Sequence, residues 1–261
     1  MKKDFAGTVS FITGASSGIG EAVARELVAR GGKVALVARR LERLETLVRE
    51  LGKDNAIALV GDVTKDGDLE SAAEATVKKF GKLDITIANA GFGISGKLAK
   101  TSINDYRKQF ETNFFGVLRT IYSTLPQLIE HKGRLVIIGS VAGHIGVPGT
   151  SAYSASKFAV RGLAESITAE LQPKGVSVVL ISPGFVTSEI RHLDNEGILH
   201  SDSKDYVPPW LAVPAHVAAR ELVNAIKKRK RERILTGHGK ALWALDRYLP
   251  QLTPLLAKFL P

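Results

Sequence analysis

Three side chains in the middle of the chain could together carry proton-transfer chemistry. Ser140 follows a short apolar run, and Tyr153 and Lys157 lie four residues apart near the start of a helical pattern. That spacing places the tyrosine and the lysine on one face of a helix. An ammonium group beside the phenol would favour the phenolate and bring the tyrosine pKa from about 10 toward neutrality. Because the serine hydroxyl could hydrogen-bond a carbonyl oxygen as charge develops on it, the set predicts acid/base chemistry with Tyr153 as the acid/base.

A glycine-rich segment near the start of the chain could hold a dinucleotide. It lies between the first predicted strand and the first predicted helix, and comprises Thr13, Gly14, Ala15, Ser16, Ser17, Gly18, Ile19 and Gly20. Glycines let the backbone turn tightly and approach a pyrophosphate, while the helix N-terminus offers free N–H groups and a positive dipole. A plain glycine turn is the alternative. The strand–turn–helix context favours the nucleotide site.

The second predicted strand ends in two arginines, Arg39 and Arg40. A site for NAD usually carries an acidic residue there, which accepts a hydrogen bond from the ribose 2′-hydroxyl. A carboxylate would repel a 2′-phosphate, whereas a guanidinium group binds one through charge-assisted hydrogen bonds. The pair therefore favours NADP(H) over NAD(H), although either arginine could instead begin the next helix as a solvated residue.

The ends of the third and fourth predicted strands could complete the nucleotide site. Asp62, followed by Val63, could accept a hydrogen bond from an adenine amino group, or could cap the next helix. The segment Asn89, Ala90 and Gly91 is small enough for the backbone to pass close to the adenine ribose.

Short apolar runs alternate along the chain with segments of helical period. Strands are predicted at Thr8–Thr13, Lys33–Ala38, Ala56–Gly61, Leu83–Ala88, Arg134–Gly139, Val176–Ser182 and Arg233–Thr236. Helices are predicted at Ile19–Arg30, Leu41–Leu51, Gly67–Phe80, Ile103–His131, Ala152–Gln172 and Ala215–Lys228. Continuously apolar strands in β-α-β order predict an α/β, doubly wound fold with a parallel sheet and helices on both faces. No linker divides the chain, which favours a single domain over residues 1–261.

Two segments depart from the alternation. Residues 184–213 form a connection longer than compact domains usually use, which is typical of an active-site lid. Residues 249–261 are an apolar tail that could dock on a membrane or pack against protein, and we expect it to be buried within the domain or between subunits. Pro250 and Pro254 argue against a spanning helix in the tail.

Composition excludes several function classes. The chain has 261 residues and no cysteine, so thiolate metal sites are excluded, and its histidines lack zinc-ligand spacing. We expect no metal. A net charge of +10 raises nucleic-acid binding as an alternative, but the run Lys227–Arg233 has no accompanying aromatic residues and is better explained as a solvated helix end. We see no signal peptide or transmembrane span and expect a cytoplasmic protein.

Several of these motifs together resemble the short-chain dehydrogenase/reductase family. The resemblance extends from about Val9 to Thr187 and rests on Thr13 through Gly20, Asn89-Ala90-Gly91, Asn113, Ser140, Tyr153-Ser154-Ala155-Ser156-Lys157 and Pro183-Gly184. It implies a Rossmann-type sheet of seven parallel strands and reversible hydride transfer between a nicotinamide and a carbonyl or alcohol carbon. It also implies that this small-molecule oxidoreductase is a homodimer or homotetramer. One departure is Ala88, where many members have asparagine.

The resemblance also implies roles for individual residues. Tyr153 would protonate the carbonyl oxygen that Ser140 holds, and Lys157 would bind the nicotinamide ribose. Asn113 would support a water that relays protons to Lys157. The strand-six loop would complete the cofactor site through Pro183, Gly184, Val186 and Thr187, the last against the nicotinamide amide.

Other functions remain open alongside the reductase. A dinucleotide-sensing regulatory protein could keep the fold, an NAD(H)-dependent dehydrogenase could keep the chemistry, and sugar-nucleotide epimerases share the tyrosine–lysine pair. The epimerases resemble longer chains with a further domain. The substrate is expected to be lipophilic or aromatic, such as a 3-oxoacyl, steroid or ketone compound, because apolar residues could line its pocket: Phe92, Ile94, His144, Ile145, Val147, Phe185, Ile198, Leu199 and Trp210.

Overall fold

The computed structural model describes residues 3–189, 207–249 and 251. Within them, seven parallel strands form one sheet in the order β3-β2-β1-β4-β5-β6-β7. The strands are β1 Val9–Thr13, β2 Lys33–Ala38, β3 Ala56–Val60, β4 Ile85–Ala88, β5 Arg134–Ile138, β6 Ser177–Ser182 and β7 Glu232–Ile234. The strand order reverses between β1 and β4. In doubly wound folds this reversal opens a crevice at the carboxyl ends of the strands, where ligands bind.

Helices cover both faces of the sheet. They are α1 Gly18–Ala29, α2 Leu41–Leu51, α3 Asp68–Phe80, α4 Ile103–Phe110, α5 Gly116–Glu130, α6 Ser151–Leu171, α7 Ala215–Lys227 and α8 Gly237–Tyr248. One apolar core joins the sheet to α1, α2 and α7, and a second joins it to α3, α5 and α6. Alternate strand residues serve the two cores: Ile12 packs into the first and Phe11 into the second. The predicted seven-stranded, doubly wound fold is therefore confirmed.

Strand register places the functional loops side by side. Thr13 at the end of β1 pairs with Val37, and Ile138 at the end of β5 pairs with Ile181. Because the strands are parallel and nearly level, the loops after β1, β2, β4, β5 and β6 all leave the same edge of the sheet.

Besides shifts of one or two residues at the ends of several elements, the structure differs from the prediction at two helices and at the last strand. The predicted helix Ile103–His131 contains a π-helical turn at Glu111–Phe115, between α4 and α5. The last strand begins one residue earlier and ends two residues earlier than predicted. Helix α8 was not predicted, because glycines at two of its first three positions hide its start. Its first turn is capped by Thr236, whose side chain accepts from the Gly239 N–H.

The basic run Lys227–Arg233 lies at the end of α7 and the start of β7, and is used for contacts within the chain. The Lys227 ammonium lies 2.9 Å from an Asp4 carboxylate oxygen, and Arg233 pairs with Glu221. Among the helices of the described ranges, none is long and apolar enough to cross a membrane. The same ranges gather no group of three or more potential metal ligands.

Parts of the predicted lid and tail lie outside the described residues. These are residues 190–206 of the former and 250 and 252–261 of the latter. The two described ends of the lid segment pair with each other. The Thr187 N–H donates to the Val213 carbonyl oxygen (2.9 Å), and the Val213 N–H donates to that of Phe185 (2.9 Å).

Candidate active site

A groove of about 1120 Å³ follows the carboxyl edge of the sheet. Most of the residues predicted for the site line it: Gly14, Ser16, Ser17, Gly18, Ile19, Arg39, Arg40, Asp62, Val63, Asn89, Ala90, Gly91, Ser140, Tyr153, Lys157, Pro183, Gly184 and Val186. Gly20 and Asn113 lie behind the wall, and the exposed Thr187 is outside it. The volume is ample for an extended ligand, since drug-sized ligands need roughly 300–1,000 Å³.

Ser140, Tyr153 and Lys157 meet at the middle of the groove. Ser140 begins the short helical turn after β5, and its hydroxyl accepts from the Ala142 N–H (3.1 Å). The same hydroxyl hydrogen-bonds the phenol of Tyr153, in the first turn of α6. Lys157 lies one turn later, with its Nζ 5.8 Å from the centre of the tyrosine ring. The Lys157 ammonium donates to the Ile138 carbonyl oxygen at the end of β5 (2.9 Å).

Burial controls the ionisation of this set. It raises the pKa of Tyr153 above its usual 10, because the phenolate would lose water, and the Ser140 hydrogen bond opposes the rise. Burial also lowers the pKa of Lys157 to about 8. The pKa of Tyr153 therefore moves in the direction opposite to the sequence expectation, and desolvation of the phenolate is the largest cause. Tyr153 holds its proton at neutral pH and is poised as a proton donor.

Asn113 lies in the π-helical turn, fully buried, and clamps the backbone after β4. Its Oδ1 accepts from the Phe92 N–H (3.1 Å), and its Nδ2 donates to the Phe92 carbonyl oxygen (3.0 Å) and to the Ser156 hydroxyl (3.1 Å). Gly91 separates Asn113 from Lys157, since a Cβ at Gly91 would lie 3.1 Å from the Asn113 Oδ1 and 3.8 Å from the Lys157 Nζ. The structure thus gives Asn113 a positioning role, and the implied water relay stays a prediction.

A second buried amide, Gln109, reinforces this clamp and was missed by sequence reasoning. Its Oε1 accepts from the Ile94 N–H (2.7 Å), and its Nε2 donates to the Phe92 carbonyl oxygen (2.8 Å). The signal was available. Two amide side chains four residues apart share a helix face, and a buried amide needs partners.

The glycine-rich loop fits a pyrophosphate. Gly14 and Gly18 adopt φ angles of 66° and 57°, which favour glycine. No side chain caps the N-terminus of α1, which lies at the groove. The N–H groups of its first turn are therefore available to bind an anion. The Asn89 Nδ2 donates to the carbonyl oxygens of Thr13 (2.9 Å) and Gly14 (3.1 Å), which fixes the loop against β4.

Gly20 shapes this loop from behind. A Cβ there would lie 2.4 Å from the Gly14 carbonyl oxygen and 2.6 Å from the Asn89 Nδ2. Its place in the motif therefore follows from close packing of α1 on the loop rather than from contact with a ligand.

The two predicted phosphate-binding arginines have different surroundings. Arg39 is exposed, and none of the described residues pairs with its guanidinium group. Arg40 donates to the hydroxyls of Ser16 (3.0 Å) and Ser17 (2.9 Å), and its Nη1 lies 3.0 Å from a carboxylate oxygen of Glu189. The carboxyl end of β2 thus carries two positive charges, but one of them, Arg40, already has partners within the chain.

Asp62 faces the groove but does not cap a helix. Its Oδ1 accepts from the N–H (2.9 Å) and the hydroxyl (2.8 Å) of Thr64, which closes an Asx turn. Helix α3 begins later, after Gly67. The helix-cap alternative is therefore wrong, and the adenine contact stays a prediction.

The predicted substrate residues divide into four groups. Phe92, Val147 and Phe185 line the groove. Ile94, His144 and Ile145 are buried and do not line it, and Trp210 is 83% exposed. Ile198 and Leu199 lie outside the described residues. Sequence reasoning missed further lining residues, among them Lys108, Glu111, Thr112, Ser188, Glu189, His238 and Leu242.

His238 joins the unpredicted helix α8 to the strand-six loop. Its Nε2 accepts from the Phe185 N–H (2.9 Å), and its ring stacks on the Phe185 ring at 5.3 Å between centroids. Partial burial lowers the pKa of His238, so the ring is neutral and suited to accept this hydrogen bond.

Comparison with known proteins settles the family. Residues 8–198 match the family model described as short chain dehydrogenase. The chain belongs to the short-chain dehydrogenase family. The chain is therefore an oxidoreductase of this family.

Two relatives are similar in sequence to this short-chain dehydrogenase over most of its length. It is 35% identical to 11-beta-hydroxysteroid dehydrogenase 1A of Arabidopsis thaliana, over 86% of this chain and 67% of that protein. It is 32% identical to an uncharacterized oxidoreductase of Staphylococcus aureus, over 82% of this chain and 95% of the other.

Two solved structures were determined with nicotinamide dinucleotides or their analogues. A short-chain dehydrogenase/reductase from Burkholderia phymatum in complex with NAD has a TM-score of 0.84 and 27% identity, covering 95% and 96% of the two chains. An alcohol dehydrogenase from Thermococcus sibiricus complexed with 5-hydroxy-NADP has a TM-score of 0.75 and 28% identity, covering 87% and 95%.

Proposed function

We propose that this short-chain dehydrogenase uses NADP(H) to interconvert a lipophilic or aromatic carbonyl compound and its secondary alcohol. The observation that carries the proposal is the position of Tyr153 beside Ser140 and Lys157 in the wall of a groove that also carries Arg39 and Arg40. A bound nicotinamide dinucleotide supplies or accepts the hydride. All described elements pack around one sheet, which supports a single catalytic domain over residues 1–261.

The proton chemistry follows from the three central side chains. In reduction, the Tyr153 hydroxyl donates its proton to the substrate carbonyl oxygen, and the Ser140 hydroxyl hydrogen-bonds that oxygen. The Lys157 ammonium stabilises the phenolate that remains, because a positive charge nearby favours the ionised phenol. Asn113 and Gln109 hold the main chain of Phe92 and Ile94 in place, and Gly93 between them lies beside the Tyr153 ring.

The cofactor proposal rests on the cationic end of the groove. Arg39 is exposed, pairs with none of the residues that the structure describes, and is suited to bind a 2′-phosphate, and the second strand ends in no acidic residue. An NAD(H)-dependent enzyme is the alternative, and the structure of the Burkholderia protein in complex with NAD supports this alternative.

The substrate proposal rests on the apolar wall around Tyr153. Phe92, Val147, Pro148, Phe185 and Leu242 line this part of the groove. Apolar walls with a few placed polar groups are typical of sites for lipophilic ligands. The name of the Arabidopsis relative, a hydroxysteroid dehydrogenase, supports the same class.

We also propose that the protein is a homodimer or homotetramer. Phe115, Tyr122 and Phe158 are large apolar side chains on the helices, and each is more than two-fifths exposed. Apolar side chains that remain exposed in one subunit are candidates for burial between copies.

The proposal is tested by following cofactor oxidation at 340 nm with NADPH and NADH separately, against aliphatic, aromatic and steroid ketones. We expect NADPH oxidation on an apolar ketone, and Tyr153→Phe should reduce kcat by about 100-fold or more while the NADPH Kd changes little. A Tyr106→Phe variant is the matched control, because Tyr106 bonds Ser151 and does not line the groove. Substantial turnover by Tyr153→Phe would remove the tyrosine from the mechanism. NADPH binding without turnover of any ketone would favour a dinucleotide-sensing role.

A further inference from the structure

A carboxylate lies among the cationic groups at the phosphate end of the groove. The Glu189 Oε2 is 3.0 Å from the Arg40 Nη1, and its Oε1 is 2.5 Å from the Arg43 Nη1. Partial burial works against ionisation of Glu189, but the two guanidinium groups hold its pKa below the ordinary range. Glu189 is therefore an anion bound by two arginines from the end of β2 and the start of α2.

The position of this anion overlaps the place expected for a cofactor phosphate. Arg40 reaches Glu189 with one nitrogen while its Nε and Nη2 donate to the Ser16 and Ser17 hydroxyls of the glycine-rich loop. The preceding residue, Ser188, crosses the same loop, since a Cβ at Gly18 would lie 3.0 Å from the Ser188 Cβ. Both Ser188 and Glu189 line the groove.

We propose that Glu189 is a built-in competitor for the cofactor 2′-phosphate: its carboxylate occupies the anion site of Arg40 and Arg43 and must be displaced before a phosphate can bind there. The inference rests on the proposed use of NADP(H). It assigns Glu189, which is remote in sequence from the strand-two arginines, a part in cofactor discrimination.

The balance of charge explains how a phosphate can win this exchange. A 2′-phosphate carries more negative charge than a carboxylate and has three acceptor oxygens, and Arg39, which pairs with none of the described residues, can add donors. The rest of the dinucleotide holds the phosphate at high local concentration. A small free anion lacks that anchor. Glu189 therefore competes effectively with free phosphate for the arginines. It is displaced by a phosphate that belongs to a tightly bound nucleotide.

The test compares Glu189→Gln with wild type in equilibrium fluorescence titrations of NADPH and NADH, which need no substrate. Replacing the carboxylate by a neutral amide should tighten NADPH about fivefold, the factor that a partly exposed charge pair carries, and leave NADH within about twofold. The matched control is Glu45→Gln, which removes the same charge from an exposed position on α2. Glu45→Gln should change neither affinity.

A second ligand pair keeps the result independent of the nicotinamide. The competitive inhibitor 2′,5′-ADP should gain about fivefold in Glu189→Gln, while 5′-AMP should not. In an Arg40→Ala background the gain from Glu189→Gln should be smaller, because the competing carboxylate then keeps only Arg43 of its two arginine partners.

The outcomes separate the inference from the proposed function. If wild type prefers NADPH to NADH but Glu189→Gln leaves the NADPH Kd unchanged or weaker, the competitor is refuted and NADP(H) use stands. If wild type binds NADPH and 2′,5′-ADP no more tightly than NADH and 5′-AMP, the NADP(H) proposal fails and the inference fails with it.

Discussion

Replacing Gly20 by alanine tests whether the glycine-rich loop is held by close packing. The new Cβ would lie 2.4 Å from the Gly14 carbonyl oxygen and 2.6 Å from the Asn89 Nδ2. The closest contact is with backbone, so no side-chain rotation can relieve it. Either α1 must move away from the loop, or Gly14 must leave the conformation that shapes the nucleotide site.

The expected cost follows from two opposing effects. Overpacking of this kind destabilises proteins by about 1–3 kcal/mol, whereas alanine in a helix is favoured over glycine by up to about 1 kcal/mol. At the N-terminal turn of α1 the clash should dominate, for a net loss of about 2 kcal/mol. For a chain of this size that loss lowers Tm by roughly 4–8 °C. NADPH affinity should fall about tenfold or more, since the displaced loop forms the expected pyrophosphate site.

Thermal unfolding and NADPH titration of three proteins provide the assay: wild type, Gly20→Ala and the control Gly162→Ala. Gly162 lies in the interior of α6 with nothing within 4 Å of its added Cβ, so alanine there should be neutral or stabilising. A Gly20→Ala protein with wild-type Tm and wild-type NADPH affinity would refute the packing argument.

The remaining predictions concern the proton donor and the wall of the groove. With NADPH saturating, kcat/KM for ketone reduction should be level up to about pH 8 and fall above it, because Lys157, whose pKa burial lowers to about 8, loses the charge that stabilises the phenolate. A rate that stays level to pH 10 would contradict this. Asn113→Leu should lower the free energy of unfolding by about 1–3 kcal/mol in urea, because it leaves the buried Phe92 N–H without its partner, whereas the Phe92 carbonyl oxygen keeps the Gln109 Nε2 as a donor. The exposed Asn104→Leu is the control, and an equal loss in both variants would contradict the clamp.

The sheet and the central chemistry could be predicted because local pattern determines them. The strand Arg134–Ile138 carries apolar residues on both faces, which predicts a buried strand of a parallel sheet. Ser140 follows this strand in the sequence and therefore lies at its carboxyl end. The four-residue spacing of Tyr153 and Lys157 has a fixed meaning on a helix. These features depend on neighbours along the chain.

What the sequence could not predict depends on contacts between distant residues. The Arg40–Glu189 pair joins positions 149 residues apart, and neither side chain carries a local signal for the other. Burial raises the pKa of Tyr153 where a fall was expected, because the spacing of two residues along a helix carries no information about their depth of burial. The π-helical turn around Asn113 likewise follows from the clamp on Phe92, a contact that helix propensity does not contain.

The pairing of Val186 and Val213 bears on how this enzyme could change its substrate. The ends of the intervening segment are joined through main-chain groups of Phe185, Thr187 and Val213, so the joint is insensitive to most side-chain replacements. Phe185 also lines the groove. A replacement of the Phe185 side chain can therefore change the groove wall while the main-chain joint, the sheet and the proton donor stay as they are.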